Sequence, residues 1–381
     1  MPPRPRQPAC ALALLTVLLA LPAPLDAIPY FARLYGVRCA QCHASPPKLN
    51  AFGEAFVAAG YWAPGMEAGR TWPLAVWLSG RTESLPADDP LAGQVVTYLN
   101  RLELISGGRL IVPWLSYFVE WRAVSLEARG DGSTRDRSGR FEDLFVTARG
   151  GELDVTVGQF RMLQQVDVSR RIGLSEPLVF SASLAGSGSG TARERSLRSF
   201  SPAGRSPAVR AGWNRAVGEG TWTTALTVPF PGEFSIPLTD EARTEASNEL
   251  ELDAKGVYAE SFFRRGLMSI GVHGFYDDGR YLVSGLVTGA RETVHWAAAL
   301  GVDRVAEVSR GRWSAEAEFI PRTSFAVGGR VENRAADGAG IAFLPYVNMH
   351  YPGSRFTIRL TVEQRFQRDR GATLVELGTI F

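Results

Sequence analysis

From residue 70 to its last residue the chain is a succession of short runs in which apolar and polar side chains alternate. The run "SRFTIRLTVEQR", residues 354–365, shows the pattern. Phe356, Ile358, Leu360 and Val362 alternate there with Arg355, Thr357, Arg359, Thr361, Glu363 and Arg365. A period of two places the apolar set on one face of a strand and the charged set on the other. Sixteen runs read this way, near 70–84, 93–106, 109–128, 139–149, 152–160, 207–217, 220–229, 247–262, 266–276, 279–289, 292–304, 311–320, 323–334, 339–350, 353–366 and 371–381.

The joins decide which face is wet. Short ones ("SGG" at 106–108, "RGG" at 149–151, "VGEG" at 217–220, "RRG" at 264–266, "GARE" at 289–292, "PRT" at 321–323, "YPGS" at 351–354) are interleaved with mostly longer polar ones such as "RGDGSTRDRSGR" and "PFPGEFSIPLTDEARTEAS". A soluble sandwich has no reason to sort its loops by side. An outer-membrane barrel does, and it turns its apolar face to lipid and its charge to a wet lumen. The fold class expected is therefore all-β, a 16-stranded antiparallel outer-membrane β-barrel, with both ends of the barrel domain (71–381) on the short-turn, periplasmic side. In "TLVELGTIF" the residues Val375, Leu377, Thr379 and Phe381 share a face, so the last strand ends on an aromatic residue. Trp72, Trp77, Trp114, Trp121, Trp213, Trp222, Trp296 and Trp313 are read as interfacial girdle residues. Residues 161–206 are too long for an ordinary connection and are read as a loop folded into the lumen as a constriction.

The first seventy residues follow another rule. Arg4 and Arg6 precede the apolar run "ACALALLTVLLALPAP", and "LDA" ends in a small residue, so residues 1–27 read as a secretory signal peptide. Beyond it no apolar run is long enough for a transmembrane helix. Residues 28–70 contain Cys39-Ala40-Gln41-Cys42-His43, which is C-x-x-C-H, the c-type haem attachment pattern. Two thiols at this spacing add to the two vinyl groups of one haem, and the adjacent histidine lies under the iron as proximal ligand. Zinc would need further Cys or His nearby, and a thioredoxin-like pair would need a βαβ setting; neither is present. Leu49, Phe52, Phe56 and Ala59 recur at helical spacing and form one apolar stripe. So short a segment is below the size that buries its own core, and the lumen is the partner available to it. A formal net charge of +2 gives no argument for nucleic acid.

The stretch "IPYFARLYGVRCAQCHASPPKLNAFGEAFVAAGYW" resembles the N-terminal region of the fused monohaem cytochrome–porins, a family that includes outer-membrane iron(II) oxidases. Phe31-Ala32-Arg33, Cys39, Cys42, His43, Pro47-Lys48-Leu49-Asn50, Phe52-Gly53, Phe56 and Gly60-Tyr61 carry the resemblance. It implies a short α-helical monohaem cytochrome c segment on the periplasmic side of the barrel or within it, with one covalent haem c. Electrons would pass between an extracellular donor or acceptor, Fe(II) being one, and a periplasmic carrier such as a soluble cytochrome c. The other reading is a diffusion porin with a haem-bearing plug or redox gate. The sixth ligand of the haem iron stays open in the sequence. Met66 is the local methionine, Met162 lies in the long loop, and His273, His295 and His350 fall on inward-facing positions of their strands; a five-coordinate iron is the remaining option.

Overall fold

The computed structural model describes residues 30–62, 65–66, 69, 73–84, 95–128, 134–163, 170–180, 204–230, 232–245, 256–277, 280–305, 308–333, 340–352, 357–367 and 370–381. The expected signal peptide, Cys10 and Trp72 lie outside these. Sixteen strands form one closed barrel: β1 Ala75–Ser84, β2 Val95–Arg109, β3 Leu115–Val124, β4 Arg140–Gly150, β5 Leu153–Arg161, β6 Arg205–Val217, β7 Gly220–Pro229, β8 Val257–Arg265, β9 Met268–Asp277, β10 Arg280–Arg291, β11 Val294–Val305, β12 Val308–Arg322, β13 Phe325–Asn333, β14 Ile341–Pro352, β15 Thr357–Gln367 and β16 Arg370–Ile380. Every strand pairs antiparallel with its neighbours in sequence, and β16 closes on β1 with Leu377 opposite Gly80. Backbone bonds seal that seam: the Phe381 N–H donates to Val76 O (3.0 Å) and the Val76 N–H to Phe381 O (2.8 Å). A closed ladder leaves no sheet edge, the condition for strands to cross a bilayer.

The alternation is inverted relative to a soluble protein. On β9, His273 is 2% exposed and its neighbour Val272 57%. Glu103, Asp303, Arg330, Glu332, Glu363 and Glu376 are buried inside, while Val157, Leu226, Ile270, Val283, Leu300 and Phe343 face outward. Inside, the charges are paired: Arg312 holds Asp303 through two bonds of 2.9 Å, Arg122 holds Glu103 at 3.0 Å and Arg330 holds Glu332 at 3.1 Å. Outside, Trp114, Trp213, Trp222 and Trp296 are exposed at the short-turn end, the place of an interfacial aromatic girdle. Among the described residues no helix is long and apolar enough to cross a membrane; crossing falls to the strands.

Three expectations need correction. The "SGG" at 106–108 is not a turn: β2 runs through it, and the chain reverses at 110–114. Those glycines serve close approach, since a Cβ on Gly107 would stand 2.8 Å from Phe118 and 3.2 Å from Phe31, and Gly108 has φ +148°. The strand expected at 247–262 is Val257–Arg265, shifted toward the tight turn at Gly266. Trp77 is not a girdle residue. It faces inward, with the guanidinium of Arg101 4.7 Å and that of Arg359 5.2 Å from its ring centre, so cation–π contacts hold it in the lumen.

Among the described residues, part of the long connection and the N-terminal segment enter the lumen. The described part of the long connection, Arg170–Phe180, turns inward. The Leu174 and Ser175 N–H groups donate to Glu363 (2.8 and 3.1 Å), and Arg330 Nη1 donates to Ser175 O (3.0 Å). Phe180 joins Phe160, Met162, Leu163, Tyr258, Phe262 and Phe275 in a buried apolar cluster. Residues 181–203 lie outside the described set. The second piece is the N-terminal segment.

Candidate functional site

The N-terminal segment folds as α1 Tyr30–Tyr35, α2 Cys39–Cys42, a short bridge pairing His43–Ser45 with Lys48–Leu49, and α3 Ala51–Ala58. Asn50 organises it. Its Oδ1 caps α3 by accepting from the Gly53 N–H (3.0 Å), its Nδ2 donates to Ala40 O and Gln41 O (both 3.0 Å), and its N–H donates to Cys42 O (2.9 Å). One side chain thus ties the third helix to the C-x-x-C turn. Glycine at 53 is required by the same closeness, because a Cβ there would lie 2.1 Å from Cys42 O. Gly53→Ala is expected to push α3 off the turn at a cost of about 1–3 kcal/mol. Faster amide exchange over residues 39–58, with barrel strands unchanged, is the readout.

Aromatic rings form the body of the segment. Phe31 stacks on Tyr61 (5.3 Å, 4°) and meets Phe56 edge-on (5.1 Å, 79°). Tyr61 in turn stacks on Phe118 of β3 (5.0 Å, 16°). The stripe expected from Leu49, Phe52, Phe56 and Ala59 is only partly a core: Leu49 and Phe56 are buried, Phe52 and Ala59 intermediate.

Polar contacts fasten the segment to the inner wall. Asn348 Nδ2 on β14 donates to Ser45 Oγ (3.0 Å) and Pro46 O (3.1 Å), and Lys48 pairs with Glu318 on β12. Glu54 accepts from Arg170 (2.7 and 2.8 Å) and from Arg264 on β8 (2.7 Å). That one carboxylate joins plug, loop and wall. Glu54→Gln leaves two cations facing each other and is expected to weaken docking by about 1–3 kcal/mol. Amide exchange rising in both α3 and residues 170–180, but not in β8, would mark the shared anchor.

Between segment and wall lies a cavity of about 290 Å³. Cys39, Cys42 and His43 line it, with Phe31, Val37, Leu49, Phe56 and Tyr61 from the segment and Trp77, Phe118, Phe145 and His350 from the barrel. Arg38, Arg170 and Arg359 bring cations to this lining and Glu120 and Asp143 bring carboxylates; Arg170 is paired with Glu54 and Arg359 with Glu376. Arg170 is the functional residue that reading the sequence misses. It is far from the motif along the chain, and only the return of the long loop brings it in.

The chemistry of the donors is specific. Neither of the two described cysteines is in a disulfide, and burial pushes each thiol up to about 11. No cluster of three or more potential metal ligands occurs among the described residues. The His43 ring is turned by its Nδ1, 3.0 Å from Pro47 O. In the tautomer that donates there, Nε2 keeps its lone pair for a metal, the arrangement that orients ligating histidines generally. Burial holds the His43 imidazole below its usual range, so the neutral, coordinating form prevails at neutral pH. A covalent haem fits this donor set: two thiols and an oriented imidazole on one largely apolar cavity.

The other sequence candidates separate in space. His350 lines the same cavity. His295 lines a different one with Lys48, Glu54 and Arg264. His273 is packed against Phe180 and Tyr258 (5.6 and 5.8 Å between ring centres), and Met162 is in the apolar cluster beneath the long loop. Met66 does not line the cavity of the two cysteines.

Neither a family model nor a curated protein sequence matches the chain. Solved structures do. The anion-selective porin from Comamonas acidovorans superposes with a TM-score of 0.52 at 12% identity, covering 81% of this chain and 98% of that one. OprB of Pseudomonas putida follows with 0.49 at 11% (86% and 96%), and a mutant of Rh. blastica porin with 0.46 at 9% (81% and 99%). The chain has the fold of a porin-type 16-stranded barrel. At such identities the likeness concerns the fold alone, and the porin-type wall with its plug carries what is particular to this chain.

Proposed function

We propose that this protein is a haem-bearing porin-type barrel that moves electrons between an extracellular partner and a periplasmic carrier. One observation carries the reading: both thiols of the C-x-x-C-H motif and its oriented histidine open on one largely apolar cavity inside the barrel wall. Cys39 and Cys42 would hold haem c by thioether bonds, and His43 would be its proximal ligand. Bound there, the group supplies one-electron chemistry at its iron. The chain's own residues do the rest. Pro47 O fixes the His43 ring, the aromatic lining keeps water from the site, and Arg38 adds a cation to the lining. With its anchors at the short-turn end, the segment would present the haem to the periplasm, where a soluble cytochrome c would dock.

A second reading, a diffusion porin with the segment as plug or redox gate, is favoured by the fold likeness to porins. Two measurements separate them. Haem staining of membrane fractions from cells with a cytochrome c maturation system is expected to give a covalent signal in the outer membrane. Stopped-flow mixing of the purified protein with Fe(II) is expected to reduce its Soret band. A Soret band that stays oxidised removes iron as the donor, and an outer-membrane protein without covalent haem removes the electron-transfer reading.

A further inference from the structure

We infer that His350, on the barrel wall, is the residue that opposes His43 on the haem iron. The inference rests on the haem reading above and deepens it by naming the second axial ligand, which the motif leaves open.

Three observations converge on His350. It lines the cavity shared by Cys39, Cys42 and His43, and among the described residues it is the one histidine outside the motif to do so. It is 4% exposed, yet its Nδ1 is buried with no hydrogen-bond partner. Buried polar groups are paired with few exceptions, and an orphan of this kind calls for a missing partner. Its position relative to the motif is also fixed. Asn348, two residues earlier on the same inward face of β14, donates to Ser45 Oγ and Pro46 O, two and three residues after His43. The backbone of His350 is itself tied, its N–H donating to Ser324 O (2.8 Å). Plug and wall are therefore held together at the point where two imidazoles face one cavity.

The rivals lack this convergence. His273 also has a buried ring without partners, but it is wedged between Phe180 and Tyr258 away from the motif. His295 lies in the cavity beside Lys48. Met66 and Met162 are not on the lining. A ligand supplied by the barrel also has a structural consequence: the iron would cross-link the segment to the wall, so a haem-loaded plug would be held more firmly than an empty one.

The test uses the purified full-length holoprotein and reads coordination rather than turnover. The wild type is expected to be six-coordinate and low-spin by absorption and electron paramagnetic resonance, with two nitrogen ligands. His350→Ala is expected to turn the ferric form high-spin, and added imidazole to restore the low-spin spectrum. His350→Met is expected to keep six ligands with a sulfur signature and to raise the midpoint potential, as a Met/His pair does. His295→Ala and Met66→Ala are expected to leave the wild-type spectrum in place. A wild type that is five-coordinate, or a His350→Ala protein that keeps the two-nitrogen spectrum, overturns the assignment. If His350→Ala does not accumulate, His350→Met decides alone: an unchanged two-nitrogen spectrum overturns it. A wild-type chain without covalent haem overturns the haem reading first and separately, since the ligand question then has no object.

Discussion

Replacing Cys39 and Cys42 together by alanine is expected to abolish covalent haem completely while leaving the barrel folded. The two thiols are the cysteines among the described residues, neither of them in a disulfide, and a thioether bond has no other side chain there to form on. Neither cysteine takes part in the strand pairing that closes the barrel, from β5 with β6 to β16 with β1. The losses from the change are local: two small buried side chains on the cavity, each worth about 1 kcal/mol of packing at most. Denaturing gels stained for haem give the first half of the result. Heat-modifiable migration of the unboiled protein, the usual sign of an intact barrel, gives the second. A double variant that still binds haem covalently would remove the attachment site from Cys39 and Cys42.

Deleting residues 30–62 is expected to open a conducting pore. In the intact chain the segment lies against the inner wall toward the short-turn end, stacked on Phe118 and anchored to Asn348, Glu318 and Arg264. Sixteen strands enclose an aqueous channel when nothing occupies it, so single-channel conductance in planar bilayers should rise roughly tenfold or more over the full chain. The barrel should survive the deletion. Asn348, Glu318 and Arg264 lose their partners to water that enters the lumen, rather than to a dry interior, so they are not left as unpaired buried groups. The remaining narrowing is then set by residues 170–180, whose bonds to Glu363 and Arg330 do not depend on the segment. Equal conductance for the two proteins would mean that the segment does not block the lumen.

The barrel was legible because its strands obey a rule visible one residue at a time. Charge at Arg359 and Glu363 against apolar Ile358, Leu360 and Val362 has only one arrangement in a closed sheet facing lipid. Inward positions followed from the same parity, and Asn348, His350, His295 and His273 are all buried as the alternation requires. What escaped was whatever depends on two distant pieces meeting. Gly107 and Gly108 read as a turn because glycine usually marks one, whereas the segment's Phe31 and Tyr30 press on them. Trp77 read as a girdle residue because tryptophan often sits there, whereas Arg101 and Arg359 draw it inside. Within the motif region the residue types were readable and their order of assembly was not. Nothing local says that Asn50 caps α3 and ties it to the C-x-x-C turn, or that Glu54 meets Arg170. Periodicity reports which way a side chain points; it does not report who is waiting there.

Vectorial electron transfer in sealed vesicles tests the central claim most directly. The purified holoprotein is reconstituted into liposomes with oxidised cytochrome c trapped inside, and Fe(II) held in a membrane-impermeant chelate is added outside. Reduction of the trapped cytochrome by the wild type, and none by the Cys39→Ala/Cys42→Ala protein, is the expected result. Trapped cytochrome that stays oxidised behind a haem-loaded wild-type barrel, while outside donor is in excess, would contradict it.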